Sequence, residues 1–233
     1  MTARTYGQFC GLARALEIIG ERWSLLVIRD LVLGPKRFDE LQHGLPKIPT
    51  SILSTRLNEL ERHGVVQRRV LSQLDAGVVY ELTEYGNDLD QILLQLGLWG
   101  ARSLTDPAAD DLFTLDAAIL SLYTTFQPDA ARGVDCSFEL HYGVDRMGDQ
   151  MIVHAVVEGG AMTAGEGPHP DADLVIEPRG PVVLKLLNGE MDATSALTCG
   201  AVAIKGEPAK LELFTRLFHI PSAPSKAEGL VTH

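Results

Sequence analysis

The sequence predicts an α+β fold in two domains, residues 1–104 and 105–233. The first part alternates helical apolar patterns and closes with a β-hairpin pattern, whereas the second mixes helices with strands of alternating polarity. Charge changes at the same place: up to Leu104 there are 12 Lys and Arg against 12 Asp and Glu, and from Thr105 onward 8 against 19. Small, acidic and proline residues at 103–111 interrupt the apolar periodicity and indicate the boundary.

Composition excludes several classes of protein. With 233 residues, 45% hydrophobic and 22% charged, the chain can bury a full core. No apolar run approaches the roughly 20 residues that span a bilayer, and the N-terminus lacks the pattern of a secretory signal. We therefore expect a cytoplasmic protein with no membrane partner and no cofactor. Three widely spaced cysteines, Cys10, Cys136 and Cys199, indicate reduced thiols and not a disulfide framework or a metal site.

Three helices are predicted before residue 45. Gly20 and the Gly34-Pro35 pair separate them, and the short third helix, over residues 37–43, ends at Gly44. The apolar residues at helical spacing in the first two are Phe9, Leu12, Leu16 and Ile19, then Trp23, Leu26, Val27 and Leu31.

A fourth helix follows in the stretch "TSILSTRLNELER", and its two faces differ. At roughly 100° per residue, one side forms an apolar stripe, which consists of Ile52, Leu53, Leu57 and Leu60. The opposite face is centred on Ser51 and Asn58 and is flanked by Ser54, Thr55 and Arg62. Short hydroxyls and an amide favour close approach to another polar surface. The alternative is that they only cap and solvate a short helix.

The next residues predict a hairpin. Two β-branched runs, 65–71 and 78–83, surround the turn signal Asp75-Ala76-Gly77. Helix, turn, helix and hairpin is the order of a winged helix, in which the second helix of the pair enters the major groove of DNA and the hairpin lies against the backbone. The expected phosphate contacts are Lys36, Arg37, Lys47, Arg68 and Arg69. The expected contacts from the groove helix are Thr50, Ser51, Ser54, Thr55, Arg56, Asn58 and Arg62.

Three stretches carry a resemblance to a known family. "ALEIIGERWSLLVIRDLVLGPKRFDELQ", "ILSTRLNELERHGVVQRRV" and "YELTEYG" resemble the HxlR family of bacterial winged-helix transcription regulators, over roughly residues 8–102. The resemblance implies a homodimer on a double-stranded DNA operator, paired through segments 6–19 and 85–102. It also implies two half-sites about one helical turn apart. Repression is the expected sign, because a dimer on a promoter blocks polymerase without a further contact surface.

Three positions qualify the resemblance. Many members begin the groove helix with Ser-Pro-Lys, whereas this chain has Pro49-Thr50-Ser51 and so lacks one cation there. Arg56 matches a common family Arg, yet the helical wheel puts it beside the apolar stripe, so bracing the fold and touching DNA both remain open. Cys10 matches a frequent N-terminal Cys that senses oxidants or electrophiles in some members. The alternative for Cys10 is a small buried side chain.

The second part predicts a helix, four strands, two helices, a strand and a final helix. Its stretch 172–218, "ADLVIEP…KLELFTRLF", is similar to the end of the sterol carrier protein fold, and the resemblance covers about residues 112–220. The pattern of strands and turns predicts an antiparallel sheet. The resemblance implies an apolar tunnel for a hydrophobic small-molecule effector that shifts DNA affinity. The alternative is that this part only extends the dimer. The candidate ligand-binding residues are Phe126, Phe138, Leu187, Met191, Leu197, Phe214 and Phe218.

Catalysis and metal binding are weak alternatives. His169, Asp171 and Asp173 lie close together, but Pro, Gly and Asp around them are typical of a solvated turn. His141 and His154 can face each other on neighbouring strands, yet neither has a paired nucleophile, and no glycine-rich phosphate loop occurs. We therefore expect no enzymatic activity and no bound metal.

Overall fold

The computed structural model of the chain describes residues 5–71, 77–144 and 148–222. The chain forms two compact units, residues 1–94 and 95–233. The division falls earlier than residue 104 because it lies inside a helix that runs on past Leu94.

The first unit has the predicted four helices and hairpin, and one short strand that was not predicted. The predicted turn residues Asp75 and Ala76 lie outside the described residues. The elements are α1 (Gly11–Ile19), α2 (Ser24–Val32), β1 (Lys36–Arg37), α3 (Phe38–Gly44), α4 (Thr50–Arg62), β2 (Val66–Val70), β3 (Val78–Leu82), α5 (Glu84–Asn87) and α6 (Asp90–Ala101), which continues into the second unit.

The apolar stripe of α4 forms the centre of this unit. Leu53, Leu57 and Leu60 are at most 1% exposed and belong to one cluster with Ile28 of α2 and Leu41 of α3. Burying one such leucine side chain contributes about 1.5–3 kcal/mol. The stripe therefore fixes which side of α4 faces solvent.

Ile52 is a correction to the predicted stripe. It is 37% exposed, whereas Leu53 beside it is fully buried. Its position at the edge of the wheel explains the difference, because the core contacts only the centre of the stripe.

Strand β1 ties the start of α3 to the hairpin. Lys36 pairs with Tyr80 and Arg37 with Val79, which gives the antiparallel order β1-β3-β2. The backbone N–H of Arg37 also donates a hydrogen bond to the carboxylate of Glu40, at the first turn of α3. Two residues are too few to show a strand pattern in sequence.

The second unit has the predicted order of elements. The sequence also predicts a turn at 143–149 between the first two strands of this part, and residues 145–147 of that turn lie outside the described residues. The elements are α7 (Leu115–Thr125), β4 (Cys136–Val144), β5 (Gln150–Glu158), β6 (Ala161–Glu166), β7 (Leu174–Pro178), α8 (Val182–Leu187), α9 (Ala193–Thr198), β8 (Val202–Gly206) and α10 (Pro208–Leu217).

The sheet of this unit is mixed, not purely antiparallel as predicted. Its order is β6-β5-β4-β7-β8, and β7 runs parallel to β4 while the other neighbours are antiparallel. The cause is the connection over residues 167–173, which leaves the edge strand β6 and returns the chain on the far side of β4. A hairpin there would have given an antiparallel pair.

Aromatic rings fill the core of the second unit. Phe138, Phe214 and Phe218 are fully buried, and their ring centroids lie 4.8–6.0 Å apart. Leu187 is 4% exposed. The burial of these four candidates favours a place in the packed core over one in a pocket wall.

The other three ligand-binding candidates, Phe126, Met191 and Leu197, are half-buried. Two of the clefts bounded by described residues have volumes of about 390 and 190 Å³, and none of the seven candidates lines either of these two.

Glu139 is a buried acid on the face of β4 opposite to Phe138, and it accepts hydrogen bonds from two nearby histidines. It accepts hydrogen bonds from the His169 N–H at 2.7 Å and from His141. Burial acts to raise the pKa of Glu139, but these hydrogen bonds lower it more, so its pKa lies below the ordinary value. His154 is opposite Glu139 and not opposite His141, which corrects the predicted histidine pair.

The structure does not bring His169, Asp171 and Asp173 together as metal ligands. Asp173 accepts a hydrogen bond from the Ser137 N–H and pairs with Lys210, while the backbone carbonyl of Asp171 accepts from the Ser137 hydroxyl. Within the three described ranges, no group of three or more His, Cys, Asp or Glu is placed to hold a metal ion. Among the same residues, no helix combines the length and apolarity needed to cross a bilayer.

Candidate nucleic-acid interface

The outward side of α4 is polar along its centre, and the acids Glu59 and Glu61 lie at its two edges. Ser51, Thr55, Asn58 and Arg62 are all exposed there, and we call these four residues the contact face. Ser54 is half-buried at its edge, and Thr50 is exposed at the helix start. Because the buried leucines lie on the opposite side, the contact face is available to an external partner.

The structure contradicts the capping part of the alternative for these hydroxyls. The residue that caps the N-terminus of α4 is Pro49, and no side chain supplies a capping hydrogen bond. Thr55 instead donates its hydroxyl proton to the backbone carbonyl of Ser51 at 2.8 Å. Its oxygen remains an acceptor, and a hydroxyl oxygen beside a methyl group suits contacts to base edges and to the thymine methyl.

Arg56 belongs to the fold and not to the contact face. Its side chain is 12% exposed, and its Nη1 lies 2.8 Å from Glu59 and 3.7 Å from Glu21. Glu21 precedes α2, so the pair ties α4 to that segment. This arrangement favours bracing, the first of the two alternatives left open by the sequence.

Both arginines of the hairpin are paired with acids. Arg68 donates from Nε and Nη2 to the carboxylate of Glu61 at 2.5–3.0 Å. Arg69 donates from Nε to Glu81 at 2.9 Å. Both side chains are about half exposed, at 48% and 49%. A phosphate that binds either guanidinium therefore shares it with the paired carboxylate or displaces that carboxylate.

The acids themselves stay ionised. The hydrogen bonds from Arg68 lower the pKa of Glu61, and those from Gln67 and Arg69 lower the pKa of Glu81. The pairs are 7 and 12 residues apart in sequence, so helix spacing gave no sign of them. The positive charge expected along the hairpin is therefore largely neutralised.

The remaining predicted cations lie at the border of this surface. Lys36 and Arg37 are half-buried on β1, and Lys47 is exposed in the turn between α3 and α4. Lys47 is thus the best placed of the three to meet a phosphate beside α4.

Cys10 is exposed at the N-terminus of α1, which contradicts the buried alternative. Hydrogen bonds from the backbone N–H groups of Ala13 and Leu12 lower its pKa. By contrast, burial raises the pKa of Cys136 to about 11. Of these two thiols, only Cys10 combines access to solvent with a stabilised thiolate.

The two segments predicted to pair in a dimer carry exposed apolar side chains. The larger ones are Phe9, Leu12 and Leu16 at α1, and Ile92, Leu96 and Trp99 on α6. Rows of large apolar residues in solvent mark surfaces that other molecules cover.

Comparison with known proteins identifies relatives of the first half. Residues 18–107 match the family described as HxlR-like helix-turn-helix. The uncharacterized HTH-type transcriptional regulator YtcD of Bacillus subtilis is 38% identical over 106 residues, which are 46% of this chain and 84% of that protein. The HTH-type transcriptional regulator YodB of the same organism is 39% identical over 85 residues, 36% of this chain and 76% of that one. Among solved structures, the redox regulator HypR in its oxidized form is 35% identical over 41% of this chain and 99% of that chain, with a TM-score of 0.39.

Proposed function

This chain belongs to the HxlR-like helix-turn-helix family of DNA-binding transcriptional regulators, and we propose that it is a homodimeric repressor that contacts operator bases through the contact face of α4. The observation that carries the proposal is an exposed, acid-free row of short hydrogen-bonding side chains on a helix whose other side is locked in the core. Short side chains let the helix backbone come close to base edges in a groove about 12 Å wide.

The dimer is supported by the apolar rows at α1 and α6. Two copies that cover these rows would present two contact faces to one side of a duplex, about 34 Å apart, or one helical turn. A near-palindromic operator follows from the two-fold symmetry. Occupying such a site within a promoter excludes polymerase, which is the basis for proposing repression.

Freeing the hairpin arginines is expected to strengthen binding to DNA of any sequence. The double change Glu61→Gln and Glu81→Gln removes the two paired acids, so we expect about 3- to 10-fold tighter binding to a random-sequence duplex at low salt. The plot of log affinity against log salt should steepen by about one unit for each additional phosphate contact. Fluorescence anisotropy over a salt series measures both effects.

The matched control is Glu166→Gln, an exposed acid of β6 in the second unit. It lowers the negative charge of the chain without releasing an arginine of the hairpin. An equal gain from Glu166→Gln, or an unchanged salt slope in the double variant, would contradict a role for Arg68 and Arg69 at phosphates.

For the second unit we propose a sterol-carrier-like accessory domain with a filled core. Support comes from three elements within the stretch 172–218: Asp192 caps α9 by accepting from the Ser195 N–H at 2.8 Å, β8 spans Val202–Gly206, and the helix α10 spans Pro208–Leu217. The packed rings of Phe138, Phe214 and Phe218 favour a structural role over the hydrophobic effector.

A second candidate function, redox sensing, is favoured by Cys10. An exposed thiol with a lowered pKa is a thiolate at neutral pH more often than an ordinary cysteine, and the thiolate is the reactive form. Modification of Cys10 would change the apolar row of α1 that we assign to the dimer, and thereby DNA binding.

Alkylation with iodoacetamide tests this function. Because a lowered pKa means that the thiolate persists to lower pH, the rate of Cys10 modification should reach its midpoint below pH 9.0, the ordinary value. Operator affinity should fall about 10-fold or more after modification of the wild type, and by less than about 2-fold in Cys10→Ser. Cys199→Ser, which removes the other exposed thiol, should behave as wild type. Unchanged operator affinity of the alkylated wild type would eliminate Cys10 as a sensor.

A further inference from the structure

A cleft of about 390 Å³ opens beside α4 within the first unit. Three segments form it: the residues just before α2, the turn before α4, and the edge of α4 next to the contact face. Its lining residues are Glu21, Arg22, Trp23, Lys47, Pro49, Ile52 and Arg56.

The lining combines positive charge with apolar surface. Arg22, Lys47 and Arg56 bring three cations, against two acids: Glu21 in the lining and Glu59, which pairs with Arg56. The N-termini of α2 and α4, capped by Trp23 and Pro49, add the positive ends of two helix dipoles. Anions are therefore favoured in the cleft.

Trp23 occupies a strained position in the wall. Its φ of 80° is the only positive value of a non-glycine residue in the described parts of the chain. A bulky residue rarely adopts this conformation, and such strain clusters at binding and functional sites. The guanidinium of Arg22 lies 5.4 Å from the centroid of the Trp23 ring, so an aromatic wall and a cation are held together.

Arg56 brings a hydrogen-bond donor that the fold does not use. Its Nη1 pairs with Glu59 and Glu21, but its Nε is buried and has no hydrogen-bond partner among the described residues. A buried donor without an acceptor is unfavourable.

We propose that this cleft binds a small organic anion, a ring bearing a carboxylate, and that its occupancy changes DNA affinity. The ring would lie against Trp23 and Ile52, and the carboxylate would meet the cations. The volume falls within the roughly 300–1,000 Å³ of small-molecule sites. A backbone phosphate of DNA would need the cations but not the apolar wall.

Coupling to DNA follows from the position of the cleft. Ile52 and Arg56 are on the helix that carries the contact face, one residue from Ser51 and Thr55 respectively. A ligand that prefers one placement of α4 shifts DNA affinity by its difference in affinity for the two placements. This regulatory part rests on the proposed function, whereas the binding part does not.

Tryptophan fluorescence of the full chain tests the binding part. The chain has two tryptophans, so Trp99→Phe leaves Trp23 as the only reporter. The probes are benzoate, 2-naphthoate and cyclohexanecarboxylate, with benzamide as the neutral control. We expect a saturable signal from at least one carboxylate, with the matching amide about 10-fold weaker or more.

A pair of variants locates the site. Arg22→Gln should weaken binding of the carboxylate about 5-fold or more. Arg14 is an exposed cation of α1 outside the cleft, so Arg14→Gln should leave this binding unchanged. Three results would each overturn the proposal: no saturation below about 10 mM for any carboxylate, equal binding of benzamide, or equal weakening by Arg14→Gln.

The regulatory part is measured with an operator selected by the wild type from a random duplex pool. A bound carboxylate should change operator affinity of the wild type at least about 3-fold, and Arg22→Gln should lose this response. Carboxylate binding without an effect on operator affinity would overturn the regulatory part alone. Failure to select any operator would count against the proposed function, while the fluorescence result would still decide the cleft. Weaker DNA binding and a flatter salt slope in Arg22→Gln, without carboxylate binding, would make the cleft a phosphate site and the proposal wrong.

Discussion

Changing Ser51, Thr55 and Asn58 together to alanine is expected to weaken operator binding about 100-fold or more. A good bidentate contact to a base edge contributes about 1–3 kcal/mol of discrimination. At about 1 kcal/mol for each of the three side chains, the total loss of about 3 kcal/mol corresponds to about 100-fold. None of the three residues is charged, and binding to random DNA, which depends on phosphate neutralisation, should fall by less than about 3-fold. Anisotropy titrations on the selected operator and on a shuffled duplex give both values.

Two threonines provide a matched control. Thr55 donates its hydroxyl to the carbonyl of Ser51, four residues earlier, and Thr198 makes the same bond to the carbonyl of Thr194, both at 2.8 Å on exposed helices. The changes Thr55→Ala and Thr198→Ala therefore remove equivalent bonds from α4 and α9. Only Thr55→Ala should affect operator binding. A triple variant that protects the operator as the wild type does would mean that α4 is not the base-contacting helix.

Phe214→Ala is expected to lower the free energy of unfolding of the second unit by about 3–5 kcal/mol. Its ring is fully buried, with centroids 5.3 Å from Phe138 and 4.8 Å from Phe218, and removing it leaves a cavity that such a core fills poorly. Urea unfolding of the full chain, followed by circular dichroism, measures the loss.

Phe113→Ala is the matched control because this ring is 48% exposed and has an edge contact with Tyr142. Phe113→Ala should lower the free energy of unfolding by less than about 1 kcal/mol. A loss equally small in Phe214→Ala would indicate open space around the ring and would support the tunnel and its hydrophobic effector.

The sequence predicted the side of α4 that is buried, because a helix with one packed side has a strict period. Leu53, Leu57 and Leu60 are buried and Ser51 and Asn58 exposed, as the wheel required. The wheel failed for Ile52, at the edge of the stripe, where a small rotation decides exposure.

Features that depend on partners distant in sequence could not be predicted. The pairing of Arg68 with Glu61 depends on how the hairpin lies on α4, and the parallel pair β4–β7 depends on the path of a connecting segment. The ring cluster was misjudged for a related reason: apolar periodicity marks Phe138 and Phe214 as inward-facing but does not tell a filled core from a lined cavity.

The cleft beside α4 was also invisible in the sequence. Glu21 and Arg56 lie on different segments, and only the fold brings them within 3.7 Å. The sequence held one indirect sign of the cleft. Trp23 lies three residues after Gly20 at the junction of two helices, and a bulky residue in a tight turn can adopt a strained backbone conformation.

The most direct test of α4 as the DNA-contacting helix is cleavage of the operator by iron–EDTA attached to a single cysteine on it. The attachment site is Asn58→Cys, in a chain with Cys10→Ser and Cys199→Ser so that the other exposed thiols are removed. The protein is used at a concentration that saturates the operator despite the loss of the Asn58 contact. The same reagent at Thr198→Cys, on an exposed position of α9, gives the background. From position 58 we predict strong cuts confined to the two half-sites. From position 198 we predict only weak cleavage spread evenly along the duplex. Equal cleavage from the two positions would contradict insertion of α4 into the groove.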